Sequence, residues 1–167
     1  MKKGGRKNKT LYLIFSNFKL PAQYSIIEVP GDGHCLFYTW EIAMAASETT
    51  KLRPAYASLL DMVRMEFVMN QEIYKPFFYG EPSNYIIEVN KTLDDKSYAN
   101  PVSEMMVNVL ANTTRSTAVI WEKDGSEMVQ RNIITPANGA DAVNGIIHLH
   151  KENQHYEPIV ERQQKGL

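Results

Sequence analysis

Cysteine occurs once in the 167 residues, at Cys35, inside the segment Gly31-Asp32-Gly33-His34-Cys35-Leu36-Phe37. A glycine-rich turn runs directly into an apolar stretch with no glycine or proline, Cys35 to Ala46 (CLFYTWEIAMAA), which reads as a buried helix starting at the thiol. A helix N-terminus offers unpaired N–H groups and the positive end of the peptide dipoles. Both favour a thiolate, and the same N–H groups can bind a developing oxyanion. Gly31 and Gly33 give the backbone freedom to aim those groups. The other reading is a small thiol buried at a helix start.

A thiol nucleophile needs a base. Of the four histidines, His34 is adjacent to Cys35, and neighbours on a turn rarely face each other. His155 opens a segment HYEPIV that reads as a strand, and Glu157 then shares its face. A carboxylate there could hold one imidazole nitrogen and direct the other at Cys35, the logic of a catalytic triad. His148 and His150 alternate with Ile147 and Leu149. If the aliphatic pair faces the core, both histidines face outward. Together with His155 they form a rival constellation, a zinc or copper site.

The elements that must position these groups follow from periodicity. Tyr24 to Val29 reads as a strand before the turn. Lys51 to Asn70 reads as a long helix with Pro54 in its first turn. Ser83 is a candidate cap for a helix over Tyr85 to Leu93, and Asn100-Pro101 for one over Pro101 to Asn112. Ser116 to Trp121 is a nearly continuous apolar strand, expected to be central. Asp124-Gly125 marks a hairpin to a strand over Val129 to Ile134, and Thr135 to Gly145 is read as a loop. Ile146 to His150 and His155 to Val160 complete the strands. A strand, then helices, then several strands imply a mixed α+β fold, a central sheet flanked by helices.

Composition narrows the function. One cysteine excludes an internal disulfide and any zinc site needing two thiolates. No apolar run reaches the length of a membrane span, so no membrane partner is expected. Net charge is −1, but Lys2, Lys3, Arg6, Lys7 and Lys9 all precede residue 11. The remainder holds 13 basic and 19 acidic residues, net −6. A basic tail on an acidic body suits a basic partner better than a nucleic acid. The division expected is a basic lead-in over 1–20, one domain over 21–162 and a short tail over 163–167.

Asp32-Gly33-His34-Cys35-Leu36-Phe37, with His155-Tyr156-Glu157-Pro158 closing the domain 120 residues later, resembles the ovarian-tumour (OTU) family of cysteine proteases. The resemblance covers roughly residues 24–160. It implies an OTU-like, papain-related fold and a deubiquitinase that hydrolyses the isopeptide bond after the C-terminal glycine of ubiquitin or a ubiquitin-like modifier. By the resemblance Cys35 is the nucleophile, His155 the base and then the acid, and Glu157 the group that orients His155. The backbone N–H groups of Asp32, Gly33, His34 and Cys35 form the oxyanion hole, and Asp32 shapes the turn. Tyr98 and Tyr156 line the channel for the substrate tail, with Trp40 assigned to packing. No metal and no cofactor are implied, and a cytoplasmic monomer is expected. The chain could belong to a virus, a bacterium or a cell. There are two departures. The family more often carries Asp or Asn where Glu157 stands, which leaves Asn153 as an alternative orienter. Many relatives carry Trp-Gly where this chain has Tyr98-Ala99.

Overall fold

The computed structural model describes residues 18–137 and 144–162. The basic residues 1–10, the tail 163–167 and most of the loop between Thr135 and Gly145 lie outside the described residues. Five strands form one mixed sheet in the order β1-β5-β4-β2-β3: β1 (Tyr24–Ile26), β2 (Ser116–Asp124), β3 (Glu127–Ile134), β4 (Gly145–Glu152) and β5 (His155–Glu161). β2 and β4 run parallel, and every other pair is antiparallel. The helices are α1 (Cys35–Ala46), α2 (Tyr56–Met69), α3 (Gln71–Tyr74), α4 (Tyr85–Asp94), α5 (Pro101–Glu104) and α6 (Met106–Thr114). The architecture is the mixed α+β arrangement that the element order implied.

α1 begins and ends as the sequence pattern predicts. Its Leu36, Phe37, Trp40, Ala43 and Met44 are buried in the main core, where each large side chain contributes roughly 1.5–3 kcal/mol of burial. The Trp40 indole N–H donates to Thr114 Oγ1 at 3.1 Å, which satisfies the one polar group on that ring. α1 packs on β5, and Thr39 Oγ1 donates to the Tyr156 carbonyl at 2.9 Å.

Other boundaries shift for local reasons. α2 starts at Tyr56, so Pro54 precedes the helix instead of sitting in its first turn. The segment expected as one helix from Pro101 divides at Met105 into α5 and α6. Asn100 does cap α5: its side chain accepts from the Ser103 N–H, and the Ser103 hydroxyl accepts from the Asn100 N–H in return. Ser83 does not cap α4, being inside a short 3-10 turn, Pro82–Asn84. β2 is interior, but β4 holds the middle of the sheet.

Both sheet faces are covered. Ala118, Ile120, Ile147 and Leu149 face the helices. On the opposite face Val119, Trp121 and Ile159 form a second, smaller core with Phe18, Leu20, Tyr24 and Ile26. The expectation that His148 and His150 face solvent is therefore corrected. His148 Nδ1 accepts from the Trp121 indole at 3.0 Å, and His150 is 2% exposed.

Candidate active site

The turn before α1 is built around Asp32. Its Oδ1 accepts from the His34 N–H at 2.8 Å, and its Oδ2 accepts from the Tyr38 hydroxyl at 3.0 Å and from Lys96 Nζ at 3.3 Å. Burial alone would raise its carboxyl, but these three donors outweigh that and hold it below the ordinary value of 3.8. Gly33 is demanded by close approach. A Cβ there would lie 1.6 Å from the Lys96 carbonyl oxygen, whose residue takes a left-handed conformation with φ 55°. His34 points inward, as expected of a turn neighbour. Its Nε2 donates to the Thr92 carbonyl at 2.9 Å, and its Nδ1 then accepts from the Tyr56 hydroxyl. Burial keeps its imidazole below the ordinary 6.5.

Cys35 is half-buried at the first position of α1. The helix terminus does not leave the thiol acidic, contrary to the simple expectation. Burial pushes it up and the Asp32 charge adds to this, while N–H groups of Tyr156, Leu36 and Cys35 itself pull the other way without prevailing. The resting sulfur therefore holds its proton and needs a base to remove it.

β5 carries the candidate base. Tyr156 joins the two halves of the site: its N–H faces the Cys35 sulfur, its carbonyl is held by Thr39, and its chain neighbour is His155. Among the described residues no hydrogen bond links Cys35 directly to His155. Glu157 lies on the His155 face, with Oε2 at 3.9 Å from His155 Nε2. Its Oε1 is 3.4 Å from Nδ1 of His150, a residue the sequence reading placed elsewhere. Asn153 occupies the β4–β5 turn with φ 56°, the left-handed position that asparagine tolerates well. It is Glu157 that stands beside His155.

Two of the four N–H groups assigned to the oxyanion hole are engaged. The His34 N–H is on Asp32 Oδ1, and the Cys35 N–H donates to the Asp32 carbonyl at 3.2 Å. Beside the sulfur opens a cleft of about 360 Å³. Gly33, Cys35, Thr92, Tyr98, Gln154 and Tyr156 are among its lining residues; His155 is not. Tyr98 is 64% exposed. Tyr156 is half-buried under the Lys151 ammonium, and burial pushes its hydroxyl up to about 12. Among the described residues no group of three His, Cys, Asp or Glu side chains could hold a metal, so the histidines do not form the rival metal site.

Solved structures share this arrangement of elements. The OTU deubiquitinase of Wolbachia pipientis wMel, bound to ubiquitin, is 14% identical with a TM-score of 0.59, covering 85% of this chain and 98% of that one. The viral OTU domain protease of Dera Ghazi Khan virus is 20% identical with a TM-score of 0.56, covering 89% and 88%. This chain has the OTU fold. The Hazara virus OTU bound to ubiquitin is 19% identical with a TM-score of 0.51 over 89% of each chain. No family model matches the sequence. No curated protein matches it either. Among the described residues no helix is long and apolar enough to cross a membrane.

Proposed function

We propose that this OTU-fold protein is a thiol-dependent deubiquitinase cleaving the isopeptide bond after the C-terminal glycine of ubiquitin or a ubiquitin-like modifier. The observation that carries the proposal is the pairing across Tyr156. The only cysteine of the chain starts a helix at a cleft mouth and meets the strand residue next to His155, which has Glu157 at 3.9 Å. Glu157 faces Nε2 of His155, which leaves Nδ1 to take the thiol proton. The sulfur then attacks the glycine carbonyl carbon, and backbone N–H groups of the 32–35 turn receive the oxyanion. His155 returns the proton to the leaving lysine amine as the C–N bond breaks. Water, deprotonated by His155, next hydrolyses the thioester and releases the modifier's carboxylate.

The supporting features are electrostatic and steric. The body of net charge −6 suits the basic tail of ubiquitin. Tyr98 and Tyr156 bound the cleft as walls for a diglycine, which has no side chains to accommodate. Tyr79 is exposed, and its hydroxyl donates to Glu104 at the cleft lining. The test is a ubiquitin bearing a C-terminal electrophile. One covalent adduct on the intact protein, absent in Cys35→Ala, is expected. No adduct, or an adduct that survives the substitution, overturns the reading. A second reading is a chain that binds ubiquitin without turnover, favoured by the engagement of the His34 and Cys35 N–H groups. Binding of ubiquitin with neither adduct nor cleavage would select it.

A further inference from the structure

Glu157 is shared by two imidazoles. His150 stands directly opposite it in the β4–β5 register, on the sheet face turned away from the helices. Its Nδ1 lies 3.4 Å from Glu157 Oε1. Its side chain is almost wholly buried, and among the described residues its Nε2 has no hydrogen-bond partner. A buried polar atom left without a partner is destabilising, so a purely structural position here would be better filled by an aliphatic side chain. His148, two residues earlier on the same face, has its ring satisfied by Trp121. The unpaired nitrogen is therefore particular to His150. The tautomer with its proton on Nδ1 aims the donor at Glu157 and leaves only a lone pair without a partner at Nε2, which is less costly than a stranded N–H.

The length of glutamate makes the sharing possible. Glu157 starts on β5, and its two oxygens reach in different directions, Oε1 toward His150 and Oε2 toward His155. An unheld glutamate has three side-chain torsions free to turn, and fixing it against one partner leaves the other oxygen aimed. We propose that His150 is a positioning residue: it anchors Oε1 of Glu157 so that Oε2 stays on His155 and the histidine keeps Nδ1 toward the thiol. This rests on the deubiquitinase reading for its kinetic consequences but not for its geometry. It also accounts for a glutamate in a place where a shorter carboxylate would not reach both rings.

The experiment compares wild type, His150→Leu, His150→Asn, Glu157→Gln and the double variant His150→Leu/Glu157→Gln. Cleavage is read on a ubiquitin C-terminal fluorogenic amide, and the His155 ring by ¹⁵N resonance. His150→Leu should lower kcat by about tenfold to a hundredfold with KM unchanged. Its unfolding midpoint should stay equal or rise, because the unpaired nitrogen is gone. His150→Asn, which keeps a donor, should recover part of kcat. The double variant should be no slower than Glu157→Gln alone, because the two act as one unit. The His155 ring resonance should move in His150→Leu and in Glu157→Gln. Unchanged kcat in His150→Leu, or additive losses in the double variant, overturns the proposal. A loss of kcat that only tracks a lowered unfolding midpoint does so as well. If wild type cleaves no ubiquitin substrate, the deubiquitinase reading fails by itself. The His155 resonance then still decides: movement in His150→Leu keeps the anchoring, and no movement overturns it.

Discussion

Around Cys35 the turn of residues 31–35 is held from several sides. Lys96 closes over Gly33 and reaches Asp32, while His34 is tied to Thr92 and Tyr56. Around His155 the contacts are few and long, 3.9 Å to Glu157 and then 3.4 Å from Glu157 to His150. The proposed nucleophile is held by the packing of its turn, and the proposed base by side-chain reach. Catalytic hydrogen bonds are often loose before substrate arrives, so slack on the base side is compatible with function. Slack at the turn would move the sulfur and the N–H groups together.

The largest effects test that both halves belong to one machine. Cys35→Ala and His155→Ala should each reduce ubiquitin-amide hydrolysis by about 10³-fold or more, and the double variant should be no worse than the poorer single one. Independent losses in a steady-state assay would separate the two halves. Gly33→Ala comes next, because the added methyl meets the Lys96 carbonyl at 1.6 Å and the backbone must move. Overpacking of this kind costs roughly 1–3 kcal/mol, and urea unfolding together with kcat should both report it. A normal midpoint would mean that the turn is softer than its packing implies.

Acid should destabilise the fold through its buried histidines. Burial holds His34 and His148 below the ordinary 6.5, disfavouring their charged forms in the folded protein. The unfolded chain takes up their protons near pH 6.5 while the folded one does not. Their contribution is thus full above about pH 6.5 and declines as pH falls from there toward the folded values. Urea midpoints at pH 7.5 and 5.5 should show the lower value at 5.5, and equal midpoints would contradict it. Asp32 acts in a separate, lower window, its contribution present above pH 3.8 and lost below as its carboxylate takes a proton. The smallest effect is expected for Lys96→Ala. Its ammonium is exposed, so the pair with Asp32 is screened, and a thermal melt should shift slightly and less at high salt. A large shift that high salt abolishes would show that the ammonium, and not the Lys96 carbonyl, holds the turn.

The same contrast decides what could be read from residue order. α1, the Asn100–Ser103 cap and the turn at Gly125 are set by neighbours within a few positions, and local pattern locates them. The pairing of Glu157 with the His155 face follows from strand alternation alone. His150 did not follow. Alternation put it on the face opposite Leu149, but whether that face meets water depends on Phe18, Leu20 and β1, more than a hundred residues away in the chain. The acidity of Cys35 failed for a related reason. Helix position is visible in the sequence, whereas the burial that outweighs it is a matter of tertiary packing.

The Thr39–Tyr156 hydrogen bond spans 117 residues of chain. Synthesis delivers Cys35 long before β5, so the growing polypeptide carries its thiol before the residues proposed to act with it exist. Only the docking of the last strand onto α1 supplies both the histidine and the Tyr156 N–H that faces the sulfur. Such distant pairings form late, because the intervening chain must be closed first. If Cys35 and His155 act together as proposed, the nascent protein stays inert toward substrate until the sheet is complete.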